Sequence, residues 1–385
     1  MKFKFALVAG AAMGLLATTA SAVDWGGYVR VGPGQKQSTG SLQKCFNGGA
    51  QQGHGGIGRL GNECETYGEF ALSQTMKAGG VDYKALLMSN FSNGGSEPGG
   101  DQLKIQQIYV EGKGYDVAPT QSFWIGKRFY GRADVPFDDA FFVDMSGTGA
   151  GTDGIDLGVG KLNVGFFRKT DDGSTNAGSR VNLDLGGIAT NPGGTLRVTG
   201  VYTKFTGNGG KNGSGLSLQH NQTGVFGGEN TLWAQLTQGS AYLNMGFGGA
   251  LDGSGVKRWR IADSVAWLTG PLTGQTLVQI GEEKRPIVGT DKFWSVAGRA
   301  AFAFTNNFKL QGELGYSNNK PQNAAKQNIT KFTIAPTLTV GPNYYDRPEL
   351  RFYVSTFKFN NAYKIANGQT KSSKTAAGFQ AEIWF

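Results

Sequence analysis

The 385-residue sequence predicts an all-β fold. The expected architecture is a transmembrane antiparallel β-barrel of about eighteen strands. Three observations point there. The chain ends in a strand with one apolar and one polar face. It begins with an export signal and carries no later apolar helix. Between the two ends, two-faced segments recur with turn clusters between them.

The last strand is the sharpest signal. Phe379, Ala381, Ile383 and Phe385 fall on one side of an extended chain. Gly378, Gln380, Glu382 and Trp384 fall on the other. Side chains alternate across a strand, so such a segment suits lipid on one face and water on the other.

At the other end, Lys2 and Lys4 precede an apolar run from position 5 to 17, and Ala20, Ser21 and Ala22 form an A-x-A cleavage site. That pattern is a secretory signal peptide. The expected organisation is a signal peptide over 1–22 and one barrel domain over 23–385. No later stretch approaches the roughly 18 apolar residues of a spanning helix.

Composition agrees with strands. The 63 glycines supply turns, and 12% aromatic residues separate the chain from a disordered one. The formal charge is +9, and loss of Lys2 and Lys4 leaves 9 − 2 = +7. The basic residues scatter along strands instead of clustering. This argues against nucleic acid and for anionic lipid headgroups or an anion preference in a pore.

In order, the candidate strands are 26–32, 66–76, 81–91, 104–114, 121–128, 160–169, 180–185, 195–205 and 214–222. Then come 231–238, 256–268, 276–283, 292–304, 309–317, 329–340, 349–359 and the C-terminal strand. Segments 241–248 and 154–159 are further candidates. Tight connections such as Gly79-Gly80 alternate with long ones such as 32–65 and 90–102. Barrels show this alternation of short periplasmic turns and longer outer loops.

Strand parity identifies a chemically loaded inner face. Tyr28 and Arg30 lie opposite Trp25, Val29 and Val31. Tyr67 and Glu69 lie opposite Phe70 and Leu72. Tyr345, Arg347, Glu349, Arg351 and Tyr353 lie opposite Leu350, Phe352 and Val354, and Trp384 joins Gln380 and Glu382. An aromatic ring covers the C–H face of a sugar, while Arg and carboxylate groups hydrogen-bond its hydroxyl rim. The competing role for such rings is an interface girdle at the membrane rims.

Cys45 and Cys64 are the only cysteines, and an even pair in an exported chain reads as a disulfide. It would close a loop of about twenty residues, worth about 3 kcal/mol in the chain-entropy model. A metal pair is the rival reading, with His54 the only other soft ligand nearby. The two histidines, His54 and His220, lie in no catalytic motif, so an enzyme is not expected. The DDAFFVD stretch over 138–144 lacks the spacing of a calcium loop, and GKRFYGR lacks that of a phosphate loop. Neither a metal nor a cofactor is expected.

Several motifs resemble the maltoporin family of bacterial outer-membrane sugar porins. VDWGGYVR at 23–30 resembles its mature start, and RLGNECETYGE at 59–69 resembles the approach to its second strand. GKRFYGRADV at 126–135, followed by DMSGTGAG at 144–151, is similar to its pore-constricting loop. NPGGTL at 191–196, RPELRF at 347–352 and QAEIWF at 380–385 extend the likeness to the end.

The resemblance implies an eighteen-stranded barrel in the outer membrane, assembled as a homotrimer in lipid and lipopolysaccharide, with one loop folded into the lumen. It implies passive diffusion of maltose and maltodextrin-type sugars along an aromatic slide at Tyr28, Tyr67, Tyr345 and Trp384. Arg30, Arg59, Glu69, Arg132, Asp134, Asp139, Phe141 and Asp144 then fall on polar-track or constriction positions. The cysteine pair matches the family's first-loop disulfide. Phe141 stands where the family has tyrosine, and Gln106 replaces an arginine. No aromatic aligns with the mid-chain slide position, although Phe226 and Trp233 are near it. The alternative is a general diffusion porin for small hydrophilic solutes and ions.

Overall fold

The structure, a computed structural model, describes residues 23–37, 42–43, 56–93, 103–169 and 176–385. One sheet of twenty strands dominates. Two of these, Gln35–Gln37 and Leu42–Gln43, are short and lie in the first connection. The remaining eighteen form the wall.

They are β1 Asp24–Val31, β2 Thr66–Ala78, β3 Val81–Asn93, β4 Lys104–Tyr115, β5 Ala118–Arg128, β6 Gly147–Asp156, β7 Lys161–Lys169, β8 Asn176–Asn191 and β9 Gly194–Gly207. They continue as β10 Asn212–Val225, β11 Gly228–Gly239, β12 Lys257–Trp267, β13 Leu272–Arg285, β14 Gly289–Thr305, β15 Phe308–Lys320, β16 Gln327–Thr339, β17 Glu349–Phe359 and β18 Ser373–Trp384. Each is antiparallel to its sequence neighbour. The sheet closes because β1 pairs on both sides: Tyr28 lies opposite Glu69 of β2 and opposite Trp384 of β18. Among the described residues closure leaves no wall strand at a free edge, as hydrocarbon requires.

The expected alternation is explicit. In β12, Trp259 and Ile261 are exposed on the outside, while Arg258 and Arg260 are each 2% exposed on the inside. In β17, Leu350 and Phe352 face out, and Glu349 and Arg351 are buried within. A water-exposed outer face of this kind forgoes about 1.5–3 kcal/mol per large apolar side chain, so it demands lipid. Aromatic rings gather at the turn-side rim. Trp25 meets Phe385 at 5.7 Å and Phe70 at 6.3 Å, and Phe304 meets Phe302 at 5.0 Å and Phe308 at 5.8 Å.

Four details differ from the sequence reading. The strand expected at 180–185 runs from Asn176 to Asn191. Segment 154–159 marks the end of a further wall strand, β6, which begins at Gly147 and ends at Asp156. That also moves the end of the inward loop back to residue 146. Segment 241–248 is a loop with a single bridge between Ala241 and Phe247. Its apolar residues Ala241, Leu243 and Met245 are buried in the lumen under the inward loop, so their alternation answers to protein instead of lipid. Finally, Tyr345 and Arg347 precede β17. They belong to connection 340–348, an unusually long one on the short-turn side, which folds into the barrel.

Candidate functional site

The lumen is narrowed by loop 129–146. Its tip is a small hairpin, Ala133–Val135 against Ala140–Val143. One side of the hairpin is apolar. Val135, Phe137, Ala140 and Phe142 pack on Trp233, Ala262, Leu277, Ala297 and Ala301 of β11–β14. Phe142 stacks on Trp233 at 4.3 Å and 14°. The mid-chain aromatic therefore seats the constriction and does not offer its face to the pore. Phe226, the other sequence candidate, is exposed in the turn after β10.

The opposite side of the loop is polar. Arg132 lies between two rings, 3.6 Å from the centre of Phe129 and 4.7 Å from that of Phe141, and 3.7 Å from Asp144. Phe141 thus has a cationic partner in Arg132. Asp144 also accepts from the Ser146 N–H and so shapes the exit of the loop. Burial pushes the Asp134 carboxyl up, and nearby Asp139 adds to the shift.

Across from the loop, β1, β2 and β18 carry the aromatic face. The rings of Tyr28 and Tyr67 lie 6.0 Å apart, and Trp384 stands opposite Tyr28 across the β1–β18 pairing. Arg347 reaches from connection 340–348, with its guanidinium 4.4 Å from the centre of Trp384. Tyr345 in the same connection meets Tyr344 edge-on at 4.8 Å. Three of the four slide candidates thus sit on adjacent strands, and the fourth reaches the lumen from a turn.

Charges frame these rings. Arg30 pairs with Glu63 at 2.9 Å and with Glu65, and lies 5.7 Å from the Tyr67 ring centre. Tyr67 donates to Glu69. Arg59 pairs with Glu382 at 2.7 Å and Glu63 at 3.4 Å. Glu382 also accepts from Tyr28, Arg347 and Arg351. Much of the polar track is therefore internally paired, which holds its hydrogen-bonding groups in fixed positions beside the rings.

Cys64 is buried, and its expected partner Cys45 lies outside the described residues, as do His54 and residues 94–102. Gln107 was not singled out from sequence. It accepts from the Phe129 N–H at 2.8 Å and so starts the inward loop. Residue 107 follows a bulge between β3 and β4, which breaks the parity needed to find it.

Comparison with known proteins matches this geometry. The LamB porin family matches residues 23–385. A curated relative, the maltoporin of Hahella chejuensis (strain KCTC 2396), is 29% identical over 403 residues, covering 100% of this chain and 98% of that protein. Among solved structures, OccAB1 of Acinetobacter baumannii aligns with a TM-score of 0.52 at 11% identity, over 94% of this chain and 96% of that one. OccK10 (OpdN) of Pseudomonas aeruginosa aligns with a TM-score of 0.52 at 9% identity, over 94% and 98%. At such identities the two structures speak to the fold alone. The family is one of channels, not enzymes. With its closed eighteen-stranded wall and a family match across all of 23–385, this chain belongs to the LamB porin family and is a porin of the bacterial outer membrane.

Proposed function

We propose that the pore passes sugars of the maltose and maltodextrin type by passive diffusion, along a slide made by Tyr28, Tyr67, Tyr345 and Trp384. The observation that carries this reading is the run of rings on β2, β1 and β18, bordered by Arg30, Arg347 and Glu382. Such a strip meets both faces of sugar chemistry, the C–H surface and the hydroxyl rim. Repeated shallow contacts let solute leave as readily as it enters. Arg30, Arg59 and Glu69 act as the polar track. Arg132, Asp134, Asp139, Phe141 and Asp144 act at the constriction. No covalent step is involved.

The same reading takes residues 1–22 as a cleaved signal peptide, Cys45–Cys64 as a first-loop disulfide, and the working assembly as a homotrimer in lipid and lipopolysaccharide. The maltoporin relative supports the sugar class. Single-channel recording with a sugar panel tests it. Maltotriose should block ion current in a saturable way, and the block should weaken in Tyr28→Ala, Tyr67→Ala and Trp384→Ala. Equal, size-limited passage of maltose and sucrose without block would instead assign a general diffusion porin.

A further inference from the structure

We propose that the bore of this pore is set by a strap of the first connection, residues 56–60, wedged behind the tip of the inward loop, and that Asp138 is the positioning residue that latches the two. The inference needs an ion-conducting pore. It does not need the sugar preference.

The inward hairpin seats its apolar side directly on β11–β14, but its tip reaches the wall differently. There the strap intervenes. Both Asp138 carboxylate oxygens accept strap amides, Gly56 N–H at 2.7 Å and Gly58 N–H at 2.7 Å. The next carbonyl back, Phe137 O, accepts the Arg59 N–H at 2.9 Å. A carboxylate is acceptor-only, so two backbone donors converging on one side chain make a directional clamp.

The far side of the strap is bound to the wall. Leu60 N–H donates to Glu313 of β15 at 3.0 Å. Lys331 of β16 donates to Gly58 O at 3.0 Å, and Thr333 donates to Leu60 O at 3.2 Å. Arg299 of β14 adds a direct hydrogen bond from wall to loop, Nη2 to Phe137 O at 3.3 Å.

Two glycines make the close fit possible. Gly58 has φ +79°, and a Cβ there would stand 2.3 Å from the Glu313 carboxyl carbon. On the wall, a Cβ at Gly315 would meet the Ile57 backbone at 2.3 Å. Strap residues Ile57 and Leu60 are fully buried, so the strap is packed protein and not a surface loop. Asp138 is invisible as a functional residue in the sequence because its partners are backbone amides about eighty positions away.

The test uses the full chain refolded in detergent and inserted in planar bilayers. Single-channel conductance and the largest neutral polyethylene glycol admitted are measured for Asp138→Ala, Asp138→Asn and Gly58→Ala. Release of the strap takes one chain width, roughly 5 Å, from one side of the opening, so conductance should rise about twofold in Asp138→Ala, with a larger polymer cut-off. Asp138→Asn keeps one acceptor and should fall between wild type and Ala. Gly58→Ala should match Asp138→Ala by pushing the strap off Glu313. A merely structural role would lower barrel heat stability and leave the conductance of surviving channels unchanged, which would overturn the proposal. Should the variants fail to assemble, amide exchange in the wild-type barrel decides: Gly56 and Gly58 protected as strongly as wall amides supports the latch, and exchange at the rate of an open loop rejects it.

Discussion

Two sets of buried cations on the inner wall are satisfied in opposite ways. On β14–β18 the cations face carboxylates of the same wall. Arg299 and Lys331 both reach Glu313, at 2.7 and 2.6 Å, and Lys309 and Arg351 both reach Glu349, at 2.8 and 2.7 Å. On β8 and β12, Arg180 and Arg260 are equally buried, yet among the described residues neither has a carboxylate within ion-pair distance, unlike Arg197 and Arg258 of the same region, which pair with Asp184, Asp252 and Glu283. Arg180 lies 4.3 Å from the Phe167 ring centre and donates to the carbonyls of Met145 and Ser146. Arg260 lies 4.2 Å from the centre of Phe142 and donates to Gln235.

The contrast separates scaffold from clasp. In the first wall, charge neutralises charge between strands, and the result is a stiff surface for the strap to lean on. In the second, planar guanidinium groups are spent on the inward loop, because their stacking and forked donors suit rings and carbonyls. Arg180 and Arg260 also keep their positive charge without a carboxylate ion pair among the described residues.

The largest expected effect comes from breaking the first arrangement. Glu313→Ala strands Arg299 and Lys331 and frees the Leu60 amide, and an unpaired buried charge costs about 3–5 kcal/mol. Denaturant titration of the detergent-solubilised barrel measures it. A loss below about 1 kcal/mol would mean that water already screens this wall, and the scaffold distinction would fall.

Arg180→Met should cost less, about 1–3 kcal/mol, since it unpairs carbonyls and no opposite charge. Its functional effect is separate: a lower preference for anions, read as a shift in reversal potential under a salt gradient. An unchanged reversal potential in the Arg180→Met, Arg260→Met double variant would show that these arginines are electrically silent.

The strap joins the two regions, and pH probes it. Burial pushes the Asp138 carboxyl up to about 6, against the two Gly amides and Lys331, with Glu313 adding to the rise. The ordinary aspartate range lies lower, so the folded chain binds this proton more tightly than the unfolded chain. Ionisation above about 6 therefore costs stability, and acidification through that value restores it. Between pH 8 and 5 the gain should be about 1 kcal/mol. It is isolated by subtracting the profile of Asp138→Asn, which removes the contribution of every other group. A difference profile that is flat, or that falls on acidification, would reject the assignment.

The smallest effect concerns the slide. Each ring removed should weaken sugar binding by about 0.5–1 kcal/mol, a factor of roughly 2 to 5. Current-block titration with maltotriose reads this for Trp384→Ala. The loss should exceed that for Trp233→Phe, because Trp233 faces Phe142 and not the pore. Equal losses would place the sugar-contacting surface elsewhere.

The legibility of each feature followed its range. Alternation in 379–385 and in β12 reports a local fact, which face meets lipid, and two-residue periodicity carries it without any partner. The slide candidates on β1, β2 and β18 were legible for the same reason. Parity carried back from β17 also put Tyr345 inside, although it precedes that strand and reaches the lumen from connection 340–348. Segment 241–248 misled because burial under a loop and exposure to lipid select the same apolar residues. Trp233, Gln107 and Asp138 gave no usable signal, as their roles depend on a loop arriving from far along the chain.

By itself, the sequence determined the compartment, the barrel class, the approximate strand number and the inner face of most strands, because those depend on contacts between a residue and its solvent. Only the tertiary structure decided how the lumen is filled: which arginines meet acids and which meet rings, that the mid-chain tryptophan is a seat, and that a strap from the first connection backs the constriction. Those outcomes rest on pairings between residues tens to hundreds of positions apart, and they exist only once the cylinder has closed around the loops.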